Sequence, residues 1–140
     1  MMITAAVIVR GSVPLRTLAG LNERRLGKFE GRRTDASDQA TATDYERRSQ
    51  DPDDTLDGGE SLTQFFERVR AAVSGIRTQH PSGAILIVGH GGTNQMIVRT
   101  LLGLSADEAR SFEQANDELY LIEIDPAQPA RLWKLADSGR

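Results

Sequence analysis

The sequence predicts an α/β fold: three layers, with a mostly parallel sheet flanked by helices and edged by an antiparallel strand. Three observations carry this. The apolar run Ala84–Val88 leads into a glycine-rich turn and then into a helical pattern. The stretch Ser61–Gln79 places Leu62, Phe65, Phe66, Val69, Ala72, Val73 and Ile76 on a 3.6-residue period. Two late strand-like stretches, Glu118–Ile124 and Arg131–Leu135, are joined by the loop Asp125–Ala130, which has hairpin length and two prolines. At 140 residues the chain fits one domain, 1–140, with a core of its own.

Along the chain, Met1–Val9 reads either as a helix end closed by Gly11 or as a strand rich in Ile, Thr and Val. Pro14–Leu18 reads as a short strand. Arg32–Gly59 is polar, with Tyr45 as its only large anchor. It is expected to be a surface lid or insertion with one helical piece around Asp38–Arg48. Ser61 and Gln64 form a capping-box pair that opens the long helix, and Pro81 ends it. Ala84–Val88 is the buried strand. A helix over Thr93–Leu102 stops at Gly103, and Ser105 with Glu108 opens a further short helix.

Composition narrows the function. The chain is 39% hydrophobic and 26% charged, as an ordinary globular protein is. A net charge of -3 argues against a nucleic-acid partner. The absence of cysteine excludes a disulfide framework, a thiol nucleophile and thiolate metal sites. Two histidines leave little for zinc, so no metal or cofactor is expected. No apolar run reaches membrane-spanning length. The N-terminal stretch lacks a basic leader and a small-residue cleavage site, which points to the cytoplasm and to no membrane partner.

His90 is the leading candidate for chemistry. In open α/β sheets ligands bind beyond the carboxyl ends of the strands. Gly91 and Gly92 let backbone amides approach a ligand, and the helix that follows points its positive end at the same place. A phosphate suits all three features. The competing reading is a strand-end histidine satisfied by a backbone carbonyl. Glu23, in Leu21–Gly31, is a candidate general acid beside the arginine pair Arg24 and Arg25. Taken alone, that string is better read as a solvated charge cluster. Asp57–Ser61 reads as capping and turn chemistry, Arg68 and Arg70 as solvated helix surface, and His80 as a surface residue before Pro81.

Taken in order, LNERRLGKFEG, then GGES before an amphipathic helix, then ILIVGHGG resemble the histidine phosphatase superfamily, in its phosphoglycerate mutase-like branch. The likeness runs from about Val13 to Leu135. NDELYLIEI, Asn116–Ile124, resembles the late antiparallel strand of that family. The resemblance implies phosphoryl transfer through a phosphohistidine without a metal, acting on a phosphorylated small molecule. It implies that His90 stabilises the transferring phosphoryl group and that Glu23 protonates the departing oxygen. It further implies that Arg24 contacts substrate and that Gly91, Gly92 and Thr93 border the phosphate.

One departure matters. The family nucleophile lies in an Arg-His-Gly motif at the end of the first strand, and the sequence contains no such motif. Its nearest string is VIVRGS, Val7–Ser12. The resemblance therefore implies a phosphoglycerate mutase-like fold that is truncated at its N-terminus, without the first strand and the attacking nitrogen. The expectation is a phosphoryl-transfer lineage in which inactivity of this chain outweighs activity. A non-catalytic phosphate-binding relative is the alternative. The missing strand would also leave Ile85–Val88 as an unpaired apolar edge. Either Met1–Val9 fills the vacancy as a strand, or two chains pair edges as a homodimer. An esterase reading of His-Gly-Gly fails because no G-x-S-x-G turn is present.

Overall fold

A computed structural model describes residues 14–35, 37–115 and 117–136. Among the described residues the regular elements are four α-helices and one hairpin. Helix α1 is Gln39–Ser49, α2 is Leu62–Gln79, α3 is Gly91–Leu102 and α4 is Ala106–Arg110. Strands β1, Leu119–Glu123, and β2, Arg131–Ala136, follow. Single 3-10 turns occupy Ala19–Leu21 and Gly27–Phe29.

The helix starts follow local chemistry. Asp38 caps α1 by accepting the Thr41 amide at 3.2 Å. Ser61 accepts the Gln64 amide at 3.1 Å, and the Gln64 side chain accepts the Ser61 amide at 3.1 Å. Ser105 and Glu108 repeat this reciprocal pair at α4. Gly103 ends α3 at φ 68°, a left-handed conformation in which glycine has no Cβ penalty. Helix α3 begins at Gly91, two residues before the expected Thr93, so both glycines belong to its first turn.

The core forms where α2 packs on α3. Phe65, Val69 and Val73 of α2 meet Met96 and Ile97 of α3, with Leu21, Phe66, Ile87 and Leu101 at the margin. Each such side chain contributes roughly 1.5–3 kcal/mol of transfer free energy when fully buried. Arg99 lies over the Phe66 ring at 3.8 Å, extending the packed layer with a cation–π contact.

The hairpin is antiparallel as expected, with Leu121 opposite Trp133, Ile122 opposite Leu132 and a register shift at Leu119/Tyr120. Two expected strands, Ala84–Val88 and Pro14–Leu18, have no ladder among the described residues. Ala84–Val88 has no ladder partner among the described residues, and Ile85 and Leu86 stay 49% and 52% exposed. Pro14–Leu18 likewise runs without strand pairing and is exposed. The reason is shared: a strand exists only through its neighbour's hydrogen bonds, and apolar composition cannot supply the neighbour. The Met1–Val9 alternatives lie outside the described residues.

Candidate phosphate-binding site

His90 is the N-cap residue of α3, with φ -89° and ψ 162°, and its side chain makes no capping hydrogen bond. The imidazole is exposed. Its backbone carbonyl accepts the Asn94 amide at 2.8 Å and so starts the helical ladder. First-turn amides of a helix have no intrahelical acceptor. Gly91 and Gly92 thus carry amides at the positive end of α3, next to an exposed imidazole. A Cβ at Gly89, just before His90, would lie 2.2 Å from the Asn94 side-chain oxygen, so a larger residue there would displace that side chain. Asn94 in turn donates to Gln114 at 2.7 Å, and Gln114 donates to the Glu118 carbonyl at 3.0 Å. These bonds tie the start of α3 to the entry of the hairpin.

Glu23 meets the same helix end. One carboxylate oxygen accepts the Thr93 amide at 3.2 Å, and the other accepts the Arg24 amide at 2.8 Å. Thr93 is fully buried, and its hydroxyl donates to the Asn22 carbonyl at 3.2 Å. Gly92 is required by this approach, since a Cβ would sit 2.6 Å from a Glu23 oxygen. The structure therefore brings together Glu23, Gly92 and Thr93, with Gly91 and His90 on the adjoining turn. These pieces are distant in sequence and meet at one helix N-terminus.

Arg24 lies behind this surface. It is 9% exposed, and its Nε donates to the Glu60 carbonyl at 2.7 Å while Nη2 donates to the Asp54 carbonyl at 3.3 Å. Burial lowers its pKa below the usual arginine value, against the opposing pull of Tyr45, Glu60 and Asp54. Its guanidinium thus braces the loop at residues 54–60. Arg25, by contrast, is exposed.

Two loops interlock beneath Glu23. The Glu60 amide donates to the Arg25 carbonyl at 2.9 Å, and the Lys28 amide donates to the Leu56 carbonyl at 3.0 Å. A Cβ on Gly27 would lie 2.2 Å from the Leu56 carbonyl, and one on Gly59 would lie 2.5 Å from the Arg25 carbonyl. Leu56 and Asp57 both adopt positive φ, at 58° and 57°, a conformation unfavourable for side chains other than glycine, asparagine and aspartate. Leu56 is held there by full burial and by its amide, which donates a hydrogen bond to the Asp54 carboxylate at 2.7 Å. The Asp57-Gly58-Gly59-Glu60-Ser61 string therefore does more than cap α2: it forms the second wall supporting Glu23.

The excursion over residues 32–59 is fastened to these loops by ions. Arg48 of α1 makes a two-pronged bond to Asp54, both contacts at 2.7 Å, and reaches Asp57 at 2.7 Å. Lys28 bridges Asp44 at 2.7 Å and Asp57 at 3.3 Å. The Arg48 hydrogen bonds hold the Asp54 carboxyl down to about 2. Tyr45 anchors α1 edge-on against Phe29, with ring centres 5.3 Å apart.

Arg68 was expected at the surface, and instead it spans to the Glu23 loop. Nε and Nη2 bond the two oxygens of Glu60 at 2.8 and 2.7 Å, while Nη1 donates to the carbonyls of Gly20 and Asn22, each at 3.0 Å. The hydrogen bonds from Arg68 lower the Glu60 carboxyl below the usual carboxylate range, despite its burial. The sequence signal was available: Arg68 lies three residues after Phe65 and four before Ala72, on the flank of the apolar stripe. His80 ends α2 and is exposed, away from this constellation in sequence and element. Among the described residues no group of three or more His, Asp or Glu gathers to hold a metal ion. Among them, too, no helix is long and apolar enough to cross a membrane.

Comparison with known proteins gives the family and the fold. The family model described as histidine phosphatase superfamily (branch 1) matches residues 2–135. A protein of Arabidopsis thaliana named Probable 2-carboxy-D-arabinitol-1-phosphatase is 26% identical over 107 residues, which is 76% of this chain and 22% of that protein. This chain thus spans about a fifth of that relative's length. The alpha-ribazole phosphatase of Shigella flexneri superposes with a TM-score of 0.80 at 24% identity, covering 96% of this chain and 67% of that one. A structure from Escherichia coli assigned as an alpha-ribazole-5'-P phosphatase gives the same TM-score at 23% identity, covering 97% of this chain and 68% of that one. At these identities the two structures establish likeness of fold.

Proposed function

This chain belongs to branch 1 of the histidine phosphatase superfamily, and on that premise we propose that it binds the phosphoryl group of a phosphorylated small molecule at the N-terminus of α3. His90 and the amides of Gly91 and Gly92 face the phosphoryl oxygens and stabilise their charge. Glu23 hands a proton to the departing ester oxygen as the phosphorus–oxygen bond breaks. The bond that forms in exchange runs from phosphorus to the oxygen of water, leaving inorganic phosphate and the freed hydroxyl compound. The contact that carries the reading is the 3.2 Å hydrogen bond between the Thr93 amide and Glu23, which sets the acid beside the histidine-bearing turn. Arg24 supports the site by bracing the loop at residues 54–60, its Nε and Nη2 being engaged by backbone carbonyls.

A second reading is a phosphate-binding relative that turns nothing over. It is favoured by one observation: neither histidine in the sequence stands in an Arg-His-Gly motif. Hydrolysis of an aryl phosphate by the chain, with His90→Ala and Glu23→Gln as controls, separates the two. Turnover that falls with both variants supports the first reading. Binding of the aryl phosphate without turnover supports the second. Neither binding nor turnover would defeat both. Pairing of two chains through the exposed Ile85–Leu86 edge belongs to the same proposal, and sedimentation of the chain checks it: a monomer at all concentrations counts against it.

A further inference from the structure

We propose that Arg68 is a positioning residue for Glu23, acting through Glu60 and through the backbone on either side of the acid. The inference rests on the reading of Glu23 as the acid of the site, but its geometry stands apart from phosphate. The Arg68 fork grips both Glu60 oxygens, and the same guanidinium reaches the carbonyls of Ala19, Gly20, Asn22 and Glu23 at 3.4, 3.0, 3.0 and 3.4 Å. Asn22 and Glu23 supply the two carbonyls that flank the Glu23 Cα. Fixing both removes the backbone rotations that would swing the Glu23 side chain away from Thr93.

Glu60 completes the clamp. It is 3% exposed. Its carboxylate holds Arg68, its amide donates to the Arg25 carbonyl, and its own carbonyl accepts from Arg24. The segment before and after Glu23 is thus gripped by one part-buried ion pair. Close packing brings the segment within reach: a Cβ on Gly20 would lie 2.7 Å from the Cβ of Ala72, one turn along α2 from Arg68. A lysine could not reproduce the arrangement, because a single ammonium lacks the planar fork and the five donors of a guanidinium.

The test is an amide-resolved NMR comparison of the whole chain with Arg68→Met, Arg68→Lys and Glu60→Gln. The reporter is the Thr93 amide, which donates to the Glu23 carboxylate, with the Val69 and Val73 amides of α2 reporting the helix core. In Arg68→Met the Thr93 amide should shift and exchange with solvent roughly tenfold faster or more, as loss of a hydrogen bond to a charged group implies. Val69 and Val73 should keep their protection, and Arg68→Lys should recover only part of the Thr93 signature. An unchanged Thr93 amide in a folded Arg68→Met chain would overturn the proposal. If Arg68→Met loses protection at Val69 and Val73, Glu60→Gln decides. That variant keeps its backbone bonds and one acceptor, and an unmoved Thr93 amide in it also overturns the proposal. Phosphate titration of the parent chain tests the functional reading separately, so either result can fail without the other.

Discussion

The Glu23 carboxylate accepts the backbone amide of Thr93 at 3.2 Å across 70 positions of chain. This bond joins the acidic loop to the first turn of α3. It brings an acid, a helix N-terminus and an exposed histidine into one neighbourhood, and it depends on a glycine at position 92.

Replacing that glycine tests the contact. A Cβ at Gly92 would lie 2.6 Å from one Glu23 oxygen and 3.1 Å from its Cδ. Gly92→Ala should push the carboxylate aside, remove the Thr93 amide signature and lower stability by roughly 0.5–1.5 kcal/mol, as loss of one hydrogen bond does. Urea unfolding and the amide spectrum check both effects. A variant as stable as the parent with Thr93 unmoved would contradict the contact.

The α1 latch should open in acid. The Asp54 carboxyl is lowered from 3.8 to about 2, first by its bonds to Arg48. Because the folded value is the lower one, the latch is fully effective above the unfolded value near 4. It weakens as pH falls and is lost on passing about 2. Proteolysis and amide exchange within residues 32–59 should rise over that window, ahead of the α2 core. Arg48→Met should show the same opening at neutral pH. Equal protection of the segment at pH 2 and pH 6 would argue against the latch.

The start of α2 carries a separable share of the stability. Ser61→Ala removes the acceptor for the Gln64 amide, and the capping box loses its hydroxyl half. The expected loss is about 1 kcal/mol in urea unfolding, with the denaturant dependence unchanged. A loss under about 0.3 kcal/mol would show that neighbouring contacts carry the helix start instead.

What the sequence could say divides along local and distant interactions. The capping pairs at Ser61 and Ser105, the stop at Gly103 and the α2 stripe are set within a few residues, and each is where sequence reading places it. Ala84–Val88 reads as a strand because its composition suits one, yet pairing needs a neighbour that no local pattern reveals. The site divides in the same way. His90 and its glycines are legible from a short string, and they occupy a helix N-terminus as expected. Their meeting with Glu23 is a distant contact, legible only through resemblance. The string alone makes Arg24 and Arg25 a pair, and packing separates buried Arg24 from exposed Arg25. Arg68 was hidden by the ordinary expectation that helix arginines face water.

The most direct measurement is titration of the chain with inorganic phosphate, following the His90 ring and the amides of Gly91 and Gly92 by NMR. The account predicts saturable, concerted shifts of all three at millimolar phosphate, abolished at the two amides by His90→Ala and absent at the exposed ring of His80. Unmoved Gly91 and Gly92 amides, or equal responses at His80 and His90, would contradict it.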